Sequence, residues 1–98
     1  MKKTWFVYYL RCADSSLYAG ITTELERRVL EHNQCDKRAA KYTRVRRPVS
    51  LVYFEQHQDR QSASQREYQL KKLTKKQKEQ LISHFDIQPS HLNKKSPY

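Results

Sequence analysis

Trp5-Phe6-Val7-Tyr8-Tyr9-Leu10-Arg11 and Leu17-Tyr18-Ala19-Gly20-Ile21-Thr22, separated by Cys12-Ala13-Asp14-Ser15-Ser16, decide the fold. Aromatic and β-branched side chains dominate the first run, and the residues between the two are turn formers, so the pair reads as a β-hairpin. Pairing Ala13 with Leu17 across a three-residue loop puts Tyr8, Leu10 and Cys12 on the same face as Tyr18, Gly20 and Thr22, because strand side chains alternate with period two. A loop of four residues would send Tyr8 and Tyr18 to opposite faces.

Downstream, Thr23-Glu24-Leu25-Glu26 has the spacing of a capping box and predicts a helix start. Leu25, Arg28, Val29 and His32 then fall on one helical face, which mixes two aliphatics with a guanidinium and an imidazole. Residues 37–47 carry Lys37, Arg38, Lys41, Arg44, Arg46 and Arg47 with no acid among them, and Pro48 ends any helix they form. Val49 to Gln56 reads as a third strand. Asp59 is placed to cap a helix over 60–73, and Thr74 with Gln77 offers a capping box for another reaching about Phe85. The predicted order is β, β, α, basic segment, β, α, α. Residues 1–85 are the expected domain, and the polar, aperiodic stretch 86–98 the expected flexible tail.

Ninety-eight residues form one domain, with about 60–65% of the unfolded surface buried and hence a small core. Lys and Arg number 20 against 10 Asp and Glu, a formal charge of +10 that suits a polyanionic partner. One Trp, seven Tyr and three Phe are too many aromatics for a disordered chain. No apolar run approaches the roughly 18 residues a membrane span requires, and no signal-peptide pattern opens the chain. The expected compartment is the cytoplasm, and the expected state is a monomer. Cys12 and Cys35 lack metal-site spacing and are expected to be free thiols without a disulfide partner.

Several residues are candidates for chemistry. Glu67 lies on its helix's apolar stripe, four residues after Ala63 and three before Leu70. It is either a metal ligand or partner of a buried cation, or a boundary glutamate paired with Arg66 or Lys71. Arg28 and His32 form an i, i+4 pair able to clamp a phosphate and handle a proton, or else a solvated pair at the helix edge. Tyr8 and Tyr18 can offer two phenols to one site if the hairpin register holds, or be packed strand tyrosines. The run over 37–47 and the lysines at Lys71, Lys72, Lys75, Lys76 and Lys78 suit contact with a phosphate backbone.

Together these residues resemble the GIY-YIG nuclease superfamily. Phe6-Val7-Tyr8 stands where the first tripeptide belongs, Tyr18-Ala19-Gly20 matches the second, Arg28 follows eight residues after Gly20, and Glu67 lies in Arg66-Glu67-Tyr68. Within the superfamily the chain is similar to the small stand-alone bacterial branch of YhbQ-like proteins over about residues 5 to 82. The resemblance implies an α/β fold of the α+β type, a small three-stranded antiparallel sheet flanked by helices. It implies a metal-dependent endonuclease that hydrolyses phosphodiester bonds in nucleic acid, DNA ahead of RNA, with little sequence specificity and a role in repair or processing.

The implied site has Glu67 holding one divalent ion, Mg or Mn, together with waters. Tyr8 is the first choice of base and Tyr18 the alternative; His32 receives the proton and Arg28 stabilises the transition state. A phenol acting as a free base would need its pKa lowered from about 10 to about 7. Lys37, Arg38, Lys41, Arg44, Arg46, Arg47, Lys71 and Lys72 are the implied nucleic-acid contacts. Phe6 and Ala19 depart conservatively from the family tripeptides, and the Asn that other members carry on the helix after the glutamate is missing. That last departure supports the rival reading, a non-catalytic nucleic-acid or ribonucleoprotein binding module on the nuclease fold.

Overall fold

The two runs that open the sequence form strands β1 (Trp5–Arg11) and β2 (Leu17–Thr22), paired antiparallel with Tyr8 opposite Gly20 and Leu10 opposite Tyr18. The computed structural model describes residues 3–85, so the tail expected at 86–98 lies outside the described residues. The loop has three residues, as expected, but it closes one position earlier, on Cys12 and Ser16, whose backbone bond is 2.8 Å. Asp14 explains the shift. Its carboxylate accepts from both the backbone and the hydroxyl of Ser16, and Ser15 takes a left-handed conformation at φ 70°, which closes a turn ahead of Ser16. The pairing therefore moves by two residues, and an even shift keeps Tyr8 and Tyr18 on one face.

Strand β3 (Ser50–His57) pairs antiparallel with the other edge of β1, giving the order β2-β1-β3. The register jumps between Tyr9, opposite Tyr53, and Leu10, opposite Leu51, which is a bulge at Val52. Helix α1 (Leu25–Gln34) covers one face, its Leu25 packing with Tyr8, Leu10, Cys12, Val49 and Leu51. Helices α3 (Arg60–Lys72) and α4 (Lys75–Ser83) cover the other over Val7, Tyr9, Ala19, Tyr53 and Leu70. Burial on both faces accounts for the unbroken aromatic and aliphatic run of β1, where an antiparallel strand with one wet face would alternate.

Two of the three predicted caps form. Asp59 accepts from the Ser62 amide at 2.8 Å, and Thr74 with Gln77 makes the reciprocal capping box at 3.1 and 3.0 Å. The box expected at Thr23 does not form. α1 starts after Glu24, which has no side-chain cap, because the preceding Thr22 hydroxyl accepts from the Glu24 amide at 3.1 Å and shapes the entry instead. Between α1 and β3 the basic segment makes one helical turn, α2 (Lys41–Arg44). Asn33 fixes the return to the sheet, its side-chain amide accepting from Val49 N at 2.7 Å and donating to Val49 O at 2.9 Å.

Candidate active site

Gly20 is the only glycine in the chain, and its position explains why no other residue serves. A Cβ there would lie 2.5 Å from the Tyr8 hydroxyl and 2.7 Å from its Cζ, so the Tyr8 ring lies across the glycine on the neighbouring strand. This brings the buried phenol to 3.1 Å from His32 Nε2 on α1. On the far side of the imidazole, Nδ1 is 2.7 Å from the Thr43 hydroxyl on α2, which itself donates to the Ala40 carbonyl at 3.0 Å. The Ala40 amide also approaches Nδ1, at 3.4 Å, but the 2.7 Å contact is the stronger; with the threonine proton directed to Ala40, Nδ1–H donates to Thr43 and Nε2 is left to accept from Tyr8. Strand, helix and basic segment are thus joined by one polar chain.

The electrostatics of this chain follow from its burial. His32 is fully buried and titrates at about 4, held down first by burial and then by the charges of Arg28 and Arg47, so it is neutral at pH 7. The Tyr8 phenol is raised above the ordinary phenol range by burial, then by Tyr18; Arg28 opposes this, and Glu67 adds to it. The free base expected from sequence needed the opposite shift. One guanidinium does not overcome the cost of placing a phenolate in an apolar pocket.

The Tyr8 phenol meets His32 directly, and Arg28, Tyr18 and Glu67 act on it electrostatically, Glu67 from α3 on the other side of the sheet. Arg28 donates through Nη1 to Glu31 at 3.0 Å and to the Arg38 carbonyl at 2.6 Å. Tyr18 sets its ring edge-on to His32 at 5.3 Å. Glu67 sits between the fully buried Ala63 and Leu70 with its own side chain 22% exposed, paired to Lys71 at 3.2 Å. The pairing weighed as the alternative from sequence is therefore present. Lys71 is largely exposed, so the pair costs little to open.

Among the described residues no group of three or more His, Cys, Asp or Glu could enclose a metal ion. A single half-buried carboxylate fits a hard ion such as Mg, which keeps most of its waters and takes few protein oxygens. The cations of 37–47 divide. Lys37, Arg38, Lys41 and Arg44 are exposed, whereas Arg47 turns inward, its Nε donating to the His32 carbonyl at 2.7 Å and Nη1 to Asp36 at 2.8 Å. Arg46 is held between Asp14, at 3.2 Å, and the Tyr42 ring, 3.8 Å below its guanidinium carbon. Lys72 lies 4.5 Å over Tyr68. The sequence reading missed Thr43, a lone hydroxyl in a run of cations. No periodicity marks it, because its partner comes from tertiary packing.

The sequence model of the GIY-YIG catalytic domain matches residues 4–80. The chain belongs to the GIY-YIG family. Its relatives include the UPF0213 protein DP2720 of Desulfotalea psychrophila, 52% identical over 83% of this chain and 73% of the relative. Another is the UPF0213 protein CPE1444 of Clostridium perfringens, 50% identical over 91% and 94%. The solution structure of the protein EF2693 from E. faecalis superposes with a TM-score of 0.54 at 36% identity, covering 90% of this chain and 99% of that one. These matches place the chain in the small stand-alone branch of GIY-YIG proteins, with the three-stranded sheet and flanking helices described above. Tyr8, Gly20, Arg28 and Glu67, the positions expected from the resemblance, all lie within the matched residues.

Proposed function

We propose that this GIY-YIG protein is a metal-dependent endonuclease that hydrolyses phosphodiester bonds with little sequence specificity, on DNA in preference to RNA, in repair or processing. The observation that carries the reading is the Tyr8–His32 contact across Gly20, with Arg28 and Glu67 acting on the same phenol. Backbone binding alone has no use for this group.

The chain's residues divide the work as follows. An attacking water passes a proton to the Tyr8 oxygen while Tyr8 passes its own to His32 Nε2, so no free phenolate forms and the cost of burial falls on the imidazolium, which the negative charge of a bound phosphate offsets. The imidazolium keeps its Nδ1–H on Thr43. The new P–O bond forms as the P–O bond to the leaving oxygen breaks, that oxygen taking a proton from solvent, and Arg28, swung from Glu31, neutralises charge on the phosphoryl oxygens. Glu67 with waters would hold Mg or Mn, which supplies further charge neutralisation when bound. Lys37, Arg38, Lys41, Arg44, Arg46, Lys71 and Lys72 hold phosphates on either side, while Arg47 braces α1.

The raised pKa of the buried Tyr8 phenol and the Glu67–Lys71 pair favour a second reading, a nucleic-acid-binding module without turnover. A nicking assay on plasmid, branched DNA and single-stranded RNA, with Mg or Mn against chelator, separates the two. Glu67→Gln should abolish metal-dependent cleavage while leaving fold and affinity nearly intact. Cleavage by that variant at the wild-type rate would remove Glu67 from the reaction, and wild-type protein that binds but never cuts would establish the module.

A further inference from the structure

Beside the Tyr8–His32 pair lies a cleft of about 220 Å³ whose lining includes Tyr18 and Ala19 of β2, Tyr42 of α2, Lys71 of α3 and Lys78 of α4. Tyr18 and Tyr42 stack with ring centroids 6.0 Å apart and planes 23° from parallel, forming an aromatic wall. Tyr42 is exposed, and the Arg46 guanidinium, itself bonded to Asp14, lies over its ring. Two lysines complete the lining.

We propose that this cleft is a nucleotide subsite that takes one unpaired base against Tyr18 and Tyr42, the base displacing the Arg46 guanidinium from the Tyr42 ring, and its phosphate on Lys71 and Lys78. The chemistry of the lining selects the occupant. Aromatic faces attract a flat π-system of any sequence, and ammonium groups attract the phosphate joined to it, a combination used to hold single strands. The volume falls below the roughly 300 Å³ at which drug-sized pockets begin, so it suits one ring system and excludes a stacked base-pair step. A base within a duplex has both faces covered by its neighbours and cannot reach the wall. Because Tyr18 also abuts His32, the nucleotide held in the cleft adjoins the phosphate presented to Tyr8. The preferred ligand is therefore a strand with an unpaired nucleotide next to the bond at the site: single-stranded, frayed or branched nucleic acid ahead of intact duplex. This deepens the nucleic-acid reading above and does not depend on turnover.

The test uses the full chain in chelator, so that nothing is cut, with a single-stranded oligodeoxynucleotide carrying one 2-aminopurine and a blunt duplex of the same sequence. Wild type should bind the single strand more tightly and quench the 2-aminopurine by stacking. Tyr42→Leu should lose about tenfold in single-strand affinity together with the quenching, and change duplex affinity far less. Tyr42→Phe keeps the ring and should behave as wild type, and Lys78→Gln should weaken single-strand binding with quenching at saturation retained. Tyr42→Leu binding and quenching like wild type, or losing affinity equally on both ligands, overturns the subsite. Its failure is distinguishable from failure of the nuclease reading: stacking without cleavage in Mg removes only the nuclease, and cleavage with no Tyr42 effect on binding removes only the subsite.

Discussion

On one face of β1 the Tyr8 hydroxyl meets the His32 imidazole across a glycine; on the other the adjacent Tyr9 donates to the Leu70 carbonyl at 2.8 Å, in the last turn of α3. The same residue types gather on both sides. Behind Tyr9, Tyr53 donates to Glu55, and Arg66 donates to the same carboxylate from Nε at 2.9 Å and Nη2 at 3.0 Å. His57 approaches it at 3.4 Å and is itself 2.9 Å from Ser62. A Tyr, a His, an Arg and a Glu therefore occur twice, once as the candidate site and once as a closed network. In the closed network burial works against the Glu55 carboxylate, but Arg66 and Tyr53 hold it below the ordinary range. At the site the carboxylate and the guanidinium are not paired with each other: Arg28 goes to Glu31, and Glu67 has a surface lysine. A shared, doubly bonded pair makes structure, whereas charges tied to separate and more exposed partners can exchange them for a ligand.

The sharpest way to break this comparison is to remove one hydroxyl from each face. Tyr8→Phe should lower the cleavage rate by roughly 10²–10⁴ through loss of proton transfer. Tyr9→Phe should leave the rate alone and lower unfolding stability by about 1 kcal/mol, the value of one buried hydrogen bond. Nicking rates and urea unfolding of both variants read this directly. Equal rates in the two would mean that Tyr8 is as structural as its neighbour, and the relay would pass to Tyr18 or to bulk water.

A second effect, of about 3 kcal/mol, tests the burial of His32. Its folded value of about 4 lies below the ordinary 6.5, so the unfolded chain takes up the proton first as pH falls. The contribution is complete above pH 6.5, declines between 6.5 and 4, and changes no further below that. His32→Gln should flatten the dependence in that window. Urea midpoints measured across it for both proteins, if parallel, would show His32 to be solvated in the folded state.

What was legible in the sequence was local. The Tyr8 and Tyr18 faces follow from strand alternation, which survives any even slip, and the Asp59 and Thr74 caps follow from bonds made within one turn. The exact pairing depended on Asp14 bonding Ser16, a choice among turn formers that composition does not rank. The failed cap at Thr23 was of the same kind, one hydroxyl too late beside Thr22. Thr43 was hidden because its partner lies on another helix, and the direction of the Tyr8 shift because it depends on burial rather than on neighbours in the chain.

The smallest effect separates two arginines that the charge run makes look alike. Arg44 is exposed, with one bond to the Asp36 carbonyl at 3.2 Å, whereas Arg47 is bonded to the last turn of α1 and to the Asp36 carboxylate. If Arg44 neutralises one phosphate, Arg44→Ala should reduce the slope of log affinity against log salt by about one unit, equally on unrelated sequences, with stability unchanged. Arg47→Ala should do the reverse, lowering stability by about 1–2 kcal/mol while leaving the slope as it was, because the His32 carbonyl loses its donor and no phosphate contact is lost. Salt-dependent binding and urea unfolding of the two variants give four numbers that must fall in this crossed pattern. A slope change in Arg47→Ala of the same size as in Arg44→Ala would return Arg47 to the phosphate surface and mean that its inward bonds open when nucleic acid binds.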